Sequence, residues 1–124
     1  MKNYIAIISD NILFSSLIGT LIKRDLPDTE TIQITTFKQL NNEFDQNSFK
    51  LILIDGGMSY ISSIEAVQYL RITKLVKSPI WFFPEIVADH YIQKANRIGV
   101  SRIIKKPFDP YNLFEEIKKS LSNN

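Results

Sequence analysis

Within 124 residues, a short β-type run gives way to a longer stretch of helical periodicity five times. Three of those runs, Tyr4-Ile5-Ala6-Ile7-Ile8, Leu51-Ile52-Leu53-Ile54 and Pro79-Ile80-Trp81-Phe82-Phe83, are apolar on both faces. Such strands must be covered on both sides, which is the condition of central strands in a parallel sheet. Thr31-Ile32-Gln33-Ile34-Thr35 alternates polar with apolar, as a half-solvated strand does. Ile103-Ile104 is brief. Both of the latter suit sheet edges.

The helical stretches carry their own start signals. Asp10-Asn11 opens one with Leu13, Phe14, Leu17, Ile18, Leu21 and Ile22 expected on one side, broken at Leu26-Pro27-Asp28. Thr36 with Gln39, and Ser62 with Glu65, have capping-box spacing. Phe37, Leu40 and Phe44 form the expected inner face of the second helix, and Ile64, Val67 and Leu70 that of the third. A weaker pattern through Ile86, Tyr91, Ile92 and Ala95 closes at Gly99. Asp109-Pro110 reads as an N-cap with proline in the first turn, ahead of Leu113, Phe114, Ile117 and Leu121.

Strict alternation of this kind predicts an α/β fold, a doubly wound (βα)5 parallel sheet in the order 2-1-3-4-5, as one domain over residues 1–124. Ligands bind such sheets at the carboxyl ends of the strands, where the topology reverses. Those ends read Ser9-Asp10, Asp55-Gly56-Gly57, Phe83-Pro84-Glu85 and Lys105-Lys106-Pro107. Two carboxylates, Asp10 and Asp55, and the amine of Lys106 are therefore expected on one rim. A hard divalent cation relieves the repulsion between carboxylates, and Mg2+ takes one or two of them plus water. A lysine beside it suits an anionic phosphoryl group. Metal-assisted phosphoryl transfer involving a carboxylate is the chemistry implied, with turn chemistry at Asp-Gly as the plainer alternative.

Composition narrows the remaining classes. No cysteine is present, which removes disulfides and thiolate metal sites, and fits a cytoplasmic location. The net charge of +2 gives no case for nucleic acid or a membrane as partner. His90 is expected on the surface and Trp81 in the core.

From Tyr4 to Leu121 the chain resembles a response-regulator receiver domain, the phospho-acceptor module of bacterial two-component signalling. The resemblance rests on Leu51-Ile52-Leu53-Ile54-Asp55, Ile98-Gly99-Val100-Ser101 and Lys106-Pro107-Phe108-Asp109-Pro110. It implies that Asp55 accepts a phosphoryl group from a histidine kinase or phosphotransfer protein. Asp10, Asp55 and the Gly57 carbonyl would hold Mg2+, and Lys106 would contact the phosphoryl group across a cis bond to Pro107. It also implies a signalling domain rather than an enzyme, beyond its own phosphorylation and dephosphorylation. A downstream protein or a second copy would dock on the face of helix 4, strand 5 and helix 5, near Tyr91, Lys94, Ile103 and Tyr111.

The chain departs from the family pattern in four places. Ser9 replaces the first of two adjacent acids, so Mg2+ should bind more weakly. Pro84 stands where a Thr or Ser hydroxyl holds the phosphoryl group. Ile103 stands where an aromatic ring serves as switch. Ser59 and Ser63 replace the usual Pro and Gly. Glu85 is expected either to repel the phosphoryl group or to face solvent. Loss of the hydroxyl and the ring together supports an alternative: a pseudo-receiver that binds partners without phosphorylation. A flavin or nucleotide carrier is disfavoured, because Ser9-Asp10-Asn11-Ile12 offers no phosphate-cradling loop.

Overall fold

The computed structural model describes residues 2–57, 62–85 and 87–122. Five parallel strands form one sheet, β1 (Asn3–Ile8), β2 (Thr29–Ile34), β3 (Leu51–Asp55), β4 (Ile80–Phe83) and β5 (Arg102–Ile103), in the order β2-β1-β3-β4-β5. Helices α1 (Ile12–Asp25), α2 (Phe37–Gln46), α3 (Ser63–Gln68), α4 (Asp89–Arg97) and α5 (Pro110–Ser122) connect and follow them. This is the expected flavodoxin-like receiver topology, with β2 and β5 at the edges.

The period of two in each central strand sorts side chains onto two faces. Ala6, Ile8, Ile52, Ile54, Ile80 and Phe82 pack with Leu40, Val67, Leu70 and Ala95 on the α2–α4 side. Ile5, Ile7, Leu51, Leu53, Trp81 and Phe83 pack with Phe14, Ile18, Ile22, Leu113 and Ile117 on the α1–α5 side. Each fully buried Ile or Leu contributes roughly 1.5–3 kcal/mol of hydrophobic stabilisation. The continuously apolar strands are thus explained by two cores, one on each face.

The helix starts follow the sequence signals. The Asn11 side chain accepts from the N–H groups of Leu13 and Phe14, Thr36 from Gln39, Ser62 from Glu65, and Asp109 from Tyr111. Gln39 turns back to the Thr35 N–H at 3.0 Å, one residue short of an ideal capping box.

Several local expectations are corrected. Leu13 and Leu17 are 78% and 42% exposed, because the buried stripe of α1 runs through Phe14, Ile18 and Ile22. A residue one position earlier is rotated by about 100°. Phe37 is 43% exposed and lies against the Tyr69 ring instead of entering the core. β2 starts at Thr29, and β5 covers Arg102–Ile103 rather than Ile103-Ile104. After α3 the chain widens into a π-helical turn, Tyr69–Thr73, and then passes through Leu75 at φ 56°. The sequence patterns gave no sign of that turn. Ile86 and Ser59 lie outside the described residues.

Candidate functional site: an acid–amine cluster at the sheet's carboxyl end

Parallel pairing of Ile8 with Ile54 sets the ends of β1 and β3 side by side. The next residue on each strand is therefore Ser9 and Asp55. Both are buried, at 0% and 2% exposure. The Ser9 hydroxyl donates to Asp55 Oδ2 at 2.7 Å and accepts from the Asn11 N–H at 3.0 Å. The Ser9 N–H donates to the Ile34 carbonyl at 3.1 Å, which fixes the turn leaving β1.

Lys106 enters from the segment after β5, across a cis bond to Pro107. Its Nζ donates to Asp55 Oδ1 at 2.6 Å and to Glu85 Oε1 at 2.5 Å. The amine also lies 5.4 Å from the centroid of the Phe14 ring. Phe14, Phe83 and Phe108 meet edge to face, with centroids 4.9 to 6.2 Å apart, and form an apolar wall beside the charges. Burial lowers the Lys106 pKa, but the hydrogen bonds and negative charge of Asp55 and Glu85 outweigh it and hold the ammonium above the ordinary lysine value.

Three further contacts shape the loop after β3. The Gly57 N–H approaches Asp55 Oδ1 at 3.4 Å, and the buried Ser63 hydroxyl donates to the Asp55 carbonyl at 2.7 Å. Gly56 donates to the Phe83 carbonyl at 2.8 Å. A Cβ on Gly56 would stand 2.7 Å from both that carbonyl oxygen and the Glu85 nitrogen, so only glycine fits there.

Of the sequence-derived residues, the fold joins Asp55 and Lys106 directly. Gly57 follows at the same loop, and Asp10 follows Ser9 at the exposed rim of β1. Pro84 is buried at the end of β4, and Ile103 is half-buried against the α2–α4 core. His90 is exposed and Trp81 is buried, as expected. The direct roles of Ser9, Ser63 and Glu85 were not read from the sequence. For Ser9 a signal existed: residues 5, 7 and 9 share one face of the sheet, as do 51, 53 and 55, so register alone pairs Ser9 with Asp55.

The donors at this rim are hard oxygen atoms. Among the described residues no group of three or more His, Cys, Asp or Glu side chains is placed to hold a metal. Mg2+ needs only one or two carboxylates and keeps several waters, so donors of this chemical kind are the ones it takes. Receiver domains generally bind Mg2+ at the phosphorylation site.

The family model of the response regulator receiver domain matches residues 5–118. Among solved structures, a CheY-like receiver domain protein from Methanospirillum hungatei superposes with a TM-score of 0.86 at 16% identity, covering 99% of this chain and 96% of that one. The BeF3-activated DrrB receiver domain of Thermotoga maritima gives 0.81 at 18% identity, with 98% and 99% covered. Chemotaxis regulator CheY4 of Vibrio cholerae gives 0.81 at 16%, with 97% and 99% covered. At such identities the likeness establishes the fold. No curated protein matches the sequence. Family model and topology agree, and the chain belongs to the response regulator receiver domain family.

Proposed function

We propose that residues 1–124 form one receiver domain that takes up a phosphoryl group on Asp55 in a cytoplasmic phosphorelay. One observation carries the reading: the Lys106 ammonium lies 2.6 Å from a carboxylate that is 2% exposed, although 51 residues separate them. An Asp55 oxygen attacks the phosphorus of a partner's phosphohistidine. The new O–P bond forms as the P–N bond breaks, and the imidazole leaves as a neutral base once protonated. Lys106 turns from the carboxylate toward the transferred oxygens and offsets their growing charge. Mg2+, held by Asp10, Asp55 and the Gly57 carbonyl, supplies further charge neutralisation when bound. Ser9 orients the acceptor through Oδ2.

The domain is an atypical receiver. Pro84 supplies neither hydroxyl nor N–H to the phosphoryl group. A hydrogen bond to a charged group contributes about 1.5–3 kcal/mol, so its lack slows or weakens phosphoryl handling by one to two orders of magnitude. Incubation with a small phosphodonor and Mg2+, followed by intact mass, tests the reading. A single adduct on the wild type that disappears in Asp55→Asn is expected. No adduct, or one that persists in Asp55→Asn, overturns it.

A second reading, a phosphorylation-independent interaction module, is favoured by Pro84, just past the end of β4, together with Ile103 on the neighbouring β5. Under that reading Asp55→Asn leaves partner binding unchanged. In both readings the docking face is that of α4, β5 and α5, where Tyr111 is 68% exposed, and it takes a downstream protein or a second copy.

A further inference from the structure

The Lys106 ammonium is shared between two carboxylates, and only one of them belongs to the acceptor. Glu85 Oε1 is 2.5 Å from Nζ, against 2.6 Å for Asp55 Oδ1. The Glu85 side chain reaches there by lying across the loop after β3. A Cβ on Gly57 would stand 3.2 Å from Oε1 and 3.3 Å from Cγ, so the absence of a side chain at Gly57 leaves the carboxylate its path. The backbone that delivers Glu85 comes directly from the buried Pro84, whose ring fixes φ. Glu85 is itself 54% exposed at the side chain, so it can swing into solvent at little cost.

We propose that Glu85 is an internal anionic ligand of Lys106 which an incoming phosphoryl group must displace, so that it sets a threshold on phosphorylation. The inference rests on the phospho-acceptor reading of Asp55. A phosphoryl group on Asp55 brings oxygens that compete for the same ammonium. Two anions within reach of one lysine repel each other, and the half-exposed Glu85 carboxylate, which water can solvate, yields. Glu85 leaves Nζ for water, and a phosphoryl oxygen takes its place. No bond beyond those of phosphoryl transfer is made or broken.

The test compares adduct formation by a small phosphodonor with Mg2+ in the wild type, Glu85→Gln, Glu85→Asp and Asp55→Asn. Glu85→Gln removes the charge at constant shape. Glu85→Asp keeps the charge on a side chain one methylene shorter, which separates contact with Lys106 from repulsion through space. Glu85→Gln should react about two- to fivefold faster than the wild type, the range that a half-exposed ion pair gives. Glu85→Asp should approach the Gln variant. Equal or slower rates in Glu85→Gln overturn the proposal while the acceptor reading stands. An Asp variant as slow as the wild type overturns it in favour of long-range repulsion. No adduct in any variant overturns the acceptor reading, and the displacement role falls with it.

Discussion

A carboxylate as enclosed as that of Asp55 needs neighbours that donate in place of water. Lys106 and Ser9 do this, one on each oxygen. Replacing Lys106 with Met removes the one cationic donor to Asp55 among the described residues, and should cost about 2–3 kcal/mol at neutral pH. The pH dependence follows from the sign of the lysine's shift. Its folded pKa lies above the ordinary value of 10.5, so its stabilising contribution is complete below that pH. The contribution is lost as pH rises through the folded value. Urea unfolding of wild type and Lys106→Met across pH should therefore show a constant gap from neutrality to about pH 10.5, narrowing only above it. A gap that closes near neutrality would show that Lys106 is not the partner of Asp55. Asp55 and Lys106 were legible because each stands at a strand's carboxyl end, where polarity interrupts an apolar run. The reach of Glu85 was not, since a long, half-exposed side chain can point to water or to a cation, and only the loop around Gly57 selects between them.

At the scale of elements, the end of β4 is tied to the loop after β3 by glycine at one position and tolerates change at the next. A Cβ on Gly56 would stand 2.7 Å from backbone atoms, which cannot retreat. A Cβ on Gly57 would stand 3.2 Å from the carboxylate of the Glu85 side chain, which can. Gly56→Ala should thus lose about 1–3 kcal/mol by overpacking, whereas Gly57→Ala should lose less than about 1 kcal/mol and push Glu85 off Lys106. Urea midpoints at constant slope measure both, and similar losses at the two positions would contradict the geometry. Strands and caps were legible because their signals are local: short apolar runs, the alternation of Thr31-Ile32-Gln33-Ile34-Thr35, and the caps Asn11, Thr36, Ser62 and Asp109. The inner faces of helices were less so. Apolar residues on α1 cover more than half its circumference, and only the sheet decides that Phe14 and Ile18 go inward while Leu13 stays in solvent. The π-helical turn escaped notice for a related reason. Arg71 secures it by donating to the carbonyls of Val76, Ser78 and Gly99, partners that tertiary structure alone supplies.

Across the whole molecule, the site is a consequence of strand order. Placing β3 and β1 at the centre brings Ser9 beside Asp55, and the parallel crossover to β5 returns Lys106 to the same end of the sheet. Three distant segments thus share one electrostatic balance, and global stability reports on it. Ser9 lowers the negative charge of this balance relative to a second acid, so the metal-free fold needs little help from a cation. Ser9→Asp should invert that relation. A third carboxylate near Asp55 removes the 2.7 Å hydrogen bond and adds repulsion, lowering metal-free stability by about 2–4 kcal/mol. It should also raise Mg2+ affinity, and a ligand that binds only the folded state adds about 2.7 kcal/mol at one hundred times its dissociation constant. Thermal unfolding in chelator and in Mg2+ separates the two effects. The wild type should gain a small increment from Mg2+, Ser9→Asp a larger one from a lower start, and Asp55→Asn almost none. An Mg2+ increment that Asp55→Asn leaves intact would place the cation elsewhere on the surface, because no other carboxylate on β3 could then account for it.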